Sequence, residues 1–424
     1  MRMDRRRFIT SSLGIAGVAA LGAPAVLGQA KPKVVVVGAG AGGATAAKYI
    51  AKDSGGAIDV TLVEENANYR TCFHSNLYIG GLKDYDGLTH SYDGLAKQPL
   101  KMARARATGI DRDKREVTLS SGERLAYDRL ILSPGIDLRY DSVPGWSKAA
   151  EEAMPHGWRP GRQSELIKQK LDATPNGGLI VMIAPPTPYR CPPGPYERVS
   201  MFAHALTKAG KKDCKIIILD PKETFSKQAA FLSEWQNRYG KMIEWLSPKI
   251  YNAIEAVEPE TGTVRTGFET YEKCALVNVI PAQMAAAITR DAGLAPATGY
   301  CAIDAASMRS AVDQNIFIVG DAAIAGDMPK SAFAANNQAK VAAMLVRADL
   351  TGSRQFPARY ANTCWSAVDA EAAIKIGGRY EAKDGKITAT ETYVSSPGES
   401  AEVRKKTEEE NVAWYQAITT DMFA

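Results

Sequence analysis

The sequence is poor in histidine: His74, His90, His156 and His204 are the full set, and none stands at a metal-ligand spacing from another. A dedicated metal site is therefore not expected. It has no Cys-x-x-Cys-His, so it attaches no c-type haem of its own. Beyond residue 30 no apolar run reaches the ~20 residues that a spanning helix needs, and no integral membrane segment is expected once the leader is removed. Net charge is also scarce. Of the formal +5, three charges sit in the leader, where Arg2, Arg5, Arg6 and Arg7 outweigh Asp4, so the remainder carries about +2. Such a balance predicts no nucleic-acid surface. With 45% apolar and 23% charged residues over 424 positions, disordered and fibrous readings are excluded, and two or three domains with their own cores fit the length.

What is present begins with a leader: Asp4-Arg5-Arg6-Arg7-Phe8-Ile9, an apolar run from Leu13 to Leu27, then small residues around Ala23, Ala25, Gly28 and Ala30. Basic, apolar and small-residue regions in that order read as a signal peptide over residues 1–30, and Arg-Arg-x-Phe-Ile points to the twin-arginine route. A periplasmic enzyme that folds around its cofactor before export is expected.

Directly after the leader, Lys33-Val34-Val35-Val36-Val37 reads as a buried strand, followed by Gly38-x-Gly40-x-x-Gly43 and an Ala-rich helix over Ala44 to Ala51. Gly38 permits the tight turn, Gly40 lets a pyrophosphate reach the backbone and Gly43 lets helix pack on strand. A second strand, Ile58 to Val63, ends at Glu64, where a carboxylate accepts from ribose hydroxyls and disfavours a 2′-phosphate. The ligand is FAD or NAD rather than NADP. Two later segments favour FAD. Arg129-Leu130-Ile131-Leu132-Ser133-Pro134-Gly135 resembles the segment with which two-domain flavoproteins leave the FAD domain. Asn315 to Ala323 resembles their second FAD motif, which gives Asp321 the ribityl chain. Pro329 suits a helix start, so the amides of Lys330, Ser331 and Ala332 are expected to face the flavin pyrimidine.

A second strand-helix-strand unit starts at Gly178 to Ala184 and resumes at Cys214 to Asp220. Here the glycines are missing. The strand runs instead into Pro185-Pro186-Thr187-Pro188-Tyr189-Arg190-Cys191-Pro192-Pro193-Gly194-Pro195-Tyr196-Glu197-Arg198, where prolines remove the amides that would cradle a pyrophosphate. The expected class is α/β, with two Rossmann-like domains, one of FAD type and one a degenerate NAD type, and a smaller C-terminal α+β domain. The boundaries fall at 31–144 with 286–351 for the FAD domain, 145–285 for the second unit and 352–424 for a C-terminal interface domain.

On Tyr69-Arg70-Thr71-Cys72-Phe73-His74-Ser75-Asn76, the Tyr189-to-Arg198 segment and Asn362-Thr363-Cys364-Trp365-Ser366, the chain after the leader resembles the flavoprotein subunit of flavocytochrome c sulfide dehydrogenase, a glutathione-reductase-like flavoprotein. The resemblance implies a thioether from Cys72 to the flavin 8α-methyl and a redox-active disulfide between Cys191 and Cys364. It also implies a heterodimer in which a c-type cytochrome subunit carries the haem. Hydrosulfide, a thiolate-like anion, would open that disulfide, and the electrons would pass through FAD to the cytochrome. Glu197, six residues past Cys191, is the candidate proton acceptor. Cys214, Cys274 and Cys301 read as packing residues or an ordinary disulfide. The alternatives are a sulfide:quinone oxidoreductase, a type II NADH dehydrogenase, against which the proline segment argues, and a non-catalytic exported FAD-binding protein.

Overall fold

Four successive valines after Lys33 leave no polar face, a pattern suited to a strand covered on both sides. In the computed structural model, which describes residues 30–159 and 161–424, Lys33–Val37 lies inside a five-stranded parallel sheet. Its neighbours are Asp59–Val63 on one side and Arg129–Leu132 on the other, with Lys101–Ala103 and Ile316–Ile318 at the two edges. Val34, Val36, Leu62, Leu130 and Ile318 are sealed from solvent. The helix Ala41–Asp53 starts three residues before the expected Ala44, and it packs against the long helix Ala332–Thr351, where small side chains on both let the backbones approach. The expected signal peptide lies outside the described residues. Pro32–Ala424 forms one compact unit, and Ala30 and Lys31 before it have no regular structure.

A second parallel sheet repeats the plan, in the order Ile243–Leu246, Lys215–Leu219, Leu179–Ile183 and Leu276–Val279. The helices Gly194–Lys208 and Gln228–Tyr239 follow its first two strands in the chain. Two short antiparallel strands, Ile136–Leu138 and Gln283–Ala285, tie the outgoing and returning connections together. The chain closes with a three-stranded antiparallel sheet, Arg359–Ala367, Ala373–Lys383 and Lys386–Val394, and the helix Ala401–Phe423. The charged stretch Glu402 to Glu410 thus lies within a helix. Ser400 caps it by accepting from the Val403 amide, and Tyr415, Ile418, Met422 and Phe423 bury one stripe at helical spacing. Buried Arg404 anchors the helix to Gln228–Tyr239 through Glu234, 2.8 Å away. Among the described residues no helix is long and apolar enough to cross a membrane.

Candidate functional site

Where the Lys33–Val37 strand ends, the chain turns at Gly38 with φ +90°, a left-handed conformation that glycine adopts without strain. A Cβ on Gly43 would stand 1.7 Å from the Gly38 carbonyl oxygen, so the third glycine is what lets the helix close on its own turn. The helix start at Ala41 has no side-chain cap, leaving its first amides for an anion. Around it opens a groove of about 700 Å³ lined by Gly38, Gly40, Glu64, Cys72, Asp321, Ser331 and Ala332. Glu64 is set at its rim: one carboxylate oxygen accepts from the Ala39 amide at 3.0 Å and the other from Asn66. Asp321 Oδ1 is buried without a partner. A buried carboxylate oxygen left unpaired is costly, and a ribityl hydroxyl of a bound flavin would supply the missing donor. The glycine turn, the open helix start and this orphaned acceptor all fit FAD.

Cys72 also lines a second, smaller cavity of about 90 Å³, which it shares with Cys191, Cys364, Glu197, Phe333 and Trp414. Arg190, Ser331 and Ala332 line both spaces, so the thiol cavity adjoins the flavin groove. A cavity of this size admits a handful of water-sized species. Three chain segments far apart in sequence deliver the cysteines. Cys72 precedes the short helix Ser75–Ile79, Cys191 precedes the helix Gly194–Lys208, and Cys364 sits in the strand Arg359–Ala367. Cys191 takes a left-handed φ of 57° and its amide donates to the Lys330 carbonyl at 2.8 Å. Cys364 Sγ accepts from Asn362 Nδ2 at 3.4 Å.

Glu197 stands in the first turn of its helix, where the Asn76 side-chain amide donates to Oε2 at 2.7 Å and the Ala367 amide to Oε1 at 3.0 Å. Burial pushes its carboxyl up from the ordinary range, while those two donors and Lys227 and Arg198 pull it back. Three cations gather around the thiols. Arg190 approaches Asp321 at 3.6 Å. Arg198, 1% exposed, spends its guanidinium on Asn76, Asn278 and the carbonyls of His156 and Gly157, with burial lowering it to about 9. Lys227 lies behind Cys364. Arg190 and Arg198 line the cavity with Glu197, so cations outnumber carboxylates in its wall, a setting that favours a small anion.

Cys191 and Cys364 are free thiols in this structure; they line one cavity, with Cys364 Sγ turned to Asn362. Cys214, Cys274 and Cys301 are free as well, and the first two sulfurs lie within hydrogen-bond reach of the Pro175 and Tyr271 carbonyls. The helix expected to start at Pro329 starts at Ala332, because the Ser331 hydroxyl accepts from the Ala334 amide and fixes the cap there. Lys330 does not line the flavin groove. Its ammonium bends away, donating to the Asp321 and Ala323 carbonyls and lying 3.8 Å over the Tyr300 ring, on a different cavity. His74 is neutral near pH 7, since burial lowers it to about 3, and it bonds Asn411.

Sequence reasoning missed Arg190, Arg198, Lys227 and Asn411 as parts of the site. Arg190 and Arg198 lay in the singled-out proline segment, so their neighbourhood was a usable sign. Lys227 and Asn411 carried none. Among the described residues no group of three or more His, Cys, Asp or Glu is placed to hold a metal.

A parallel sheet with a glycine turn, a repeated strand-helix unit and thiols beside the nucleotide groove define a flavoprotein of the pyridine nucleotide-disulphide oxidoreductase class, and that family's model matches residues 32–173. Two further models match, that of the central part of the flavoprotein chain of flavocytochrome c sulfide dehydrogenase over residues 164–281, and that enzyme's flavin-binding part over residues 356–423. Together the three matches support a family like that of the flavocytochrome c sulfide dehydrogenase flavoprotein. It is 22% identical to the mitochondrial sulfide:quinone oxidoreductase of Dictyostelium discoideum over 320 residues, 73% of this chain and 69% of the other. Its fold is similar to the sulfide:quinone oxidoreductase of Aquifex aeolicus, with a TM-score of 0.72 at 19% identity and 92% of each chain covered. It is also similar to the NDH2 of Plasmodium falciparum in complex with NADH, with a TM-score of 0.67 at 12% identity over 93% of this chain and 97% of that one.

Proposed function

We propose that this protein is an exported, periplasmic sulfide dehydrogenase flavoprotein that holds FAD in the groove, covalently through Cys72, and oxidises sulfide at Cys191 and Cys364. The observation that carries the reading is the shared wall: Cys72, Arg190, Ser331 and Ala332 face both the flavin groove and the cavity of the two thiols. In the working cycle the pair alternates between this dithiol and a disulfide. Hydrosulfide, drawn by Arg190, Arg198 and Lys227, attacks one sulfur of the disulfide; a persulfide forms there and the other sulfur leaves as thiolate. Glu197, held by Asn76 and the Ala367 amide, takes the proton released as the sulfur is transferred. Flavin, when bound, accepts an electron pair and gives up single electrons. A c-type cytochrome subunit, bound as a heterodimer and carrying the haem, is the acceptor; the two flavocytochrome c models support this choice.

The quinone alternative draws on the likeness to the two sulfide:quinone oxidoreductases. The test compares donors and acceptors on one preparation. Anaerobic sulfide is expected to bleach the yellow flavin band far faster than NADH does, and cytochrome c is expected to restore the band. Restoration by a soluble quinone and not by cytochrome would replace the acceptor, and bleaching by NADH alone would remove sulfide as the donor.

A further inference from the structure

Lys227 is a buried ammonium, 5% exposed, at the start of the helix Gln228–Tyr239. Its three hydrogen bonds all go to neutral oxygens: the Cys364 carbonyl at 3.1 Å, Ser366 Oγ at 2.7 Å and the Ile374 carbonyl at 3.2 Å. Among the described residues no carboxylate lies within ion-pair distance of it. A buried charge with no counter-ion is expensive to keep. Lys227 also adopts φ +61°, a left-handed conformation unusual for a long side chain, as does Cys191, which faces it. Strain gathered at one place together with an uncompensated charge is the mark of a functional position.

The anion that would complete Lys227 must come from the groups facing it. Cys364 belongs to the strand that it grips, and Glu197 and Cys191 face it from the helix Gly194–Lys208 and the turn before that helix. Phe231 offers its ring face from one turn further along the lysine's own helix. Arg198 acts on Cys191 and Glu197 and Arg190 on Cys191, and Glu408 of the C-terminal helix acts on Glu197. Glu197 already has two amide donors. Cys364, by contrast, has its own carbonyl held by Lys227 and its sulfur held by Asn362.

We propose that Lys227 is the positioning residue that supplies the counter-charge for a Cys364 thiolate, and so makes Cys364 the sulfur that leaves when the pair is opened. This rests on the disulfide reading above. Written in full, HS⁻ bonds to Cys191 Sγ, the Cys191–Cys364 sulfur bond breaks, and its electron pair stays on Cys364 Sγ. The products are a Cys191 persulfide and a Cys364 thiolate beside the ammonium. Burial lowers Lys227 to about 8; burial is also the first cause that raises both thiols, and at Cys364 the Asn362 hydrogen bond and Lys227 oppose it.

The test is the pH dependence of alkylation of Cys364 and Cys191 by iodoacetamide in the reduced, flavin-bound protein, read peptide by peptide in a mass spectrometer. In the wild type Cys364 is expected to ionise at lower pH than Cys191. In Lys227→Met the Cys364 midpoint is expected to rise by about one unit or more, a loss of about tenfold in its rate at neutral pH, and Lys227→Arg is expected to recover most of it. Cys191 ionising first in the wild type, or a Cys364 profile unmoved in Lys227→Met, overturns the proposal. The wild-type comparison needs no variant, so poor folding of Lys227→Met leaves the question decidable. Failure of sulfide to bleach wild-type flavin would defeat the functional reading while leaving the order of ionisation to be read separately.

Discussion

The molecule uses one strand-turn-helix plan twice, and the two turns do opposite things. After Lys33–Val37 the turn is built of glycine, its helix opens with free amides, and the result is a place for a phosphate. After Leu179–Ile183 the turn is built of proline and carries Arg190 and Cys191, and its helix brings Glu197 and Arg198 inward. The fold supplies a position at the end of a parallel strand; the residues of the turn decide whether that position binds a nucleotide or presents a thiol.

If the division is real, variants on the two sides should separate cleanly. Cys191→Ser and Cys364→Ser are expected to keep the flavin and to lose sulfide-driven bleaching by about a thousandfold or more, read by rapid mixing. Glu197→Gln is expected to cost about a hundredfold in the same assay. As a base held above the ordinary carboxylate range, Glu197 makes the wild-type rate fall on acidification through that raised value, and the variant should lose this limb. On the other side, Asp321→Ala placed in a Cys72→Ser background, where flavin is free to leave, is expected to weaken FAD binding about 10- to 100-fold. Its thiols should be alkylated as before. Retained affinity in that variant would remove Asp321 from the cofactor site.

The smallest effect concerns stability. Burial lowers His74 and His156 each to about 3, and His156 Nδ1 accepts from the Trp158 amide, which requires the neutral ring. Between about 6.5 and about 3 the unfolded chain binds protons that the fold refuses, so stability rises with pH there and is lost on acidification. Replacing one histidine by Gln is expected to flatten that slope by about 1.4 kcal/mol per pH unit, measured by denaturant unfolding. An unchanged slope would mean that the ring is protonated in the fold.

The glycine turn was legible because each of its requirements is local: a turn, a helix start and an acid one strand later. Asp321 was legible for the same reason, since its motif is contiguous. The thiol cavity was legible only in part. Cys72, Cys191 and Cys364 stood out by their segments, yet nothing in the sequence brings Lys227 behind Cys364, because that contact depends on how the helix Gln228–Tyr239 meets the strand Arg359–Ala367, 137 residues away. Lys330 misled because Pro329 reads as a helix start, whereas the Ser331 cap places that start at Ala332 and Lys330 Nζ lies over the Tyr300 ring. The charged run from Glu402 gave no sign of a place at the site, yet its helix sends Asn411 and Trp414 into the cavity wall.

The most direct measurement is anaerobic mixing of sulfide with wild-type protein and with Cys191→Ser, each with its flavin in place. Two thiols acting as one redox pair beside the flavin require rapid bleaching in the first and essentially none in the second. Bleaching of Cys191→Ser at the wild-type rate would show that electrons reach the flavin without the pair.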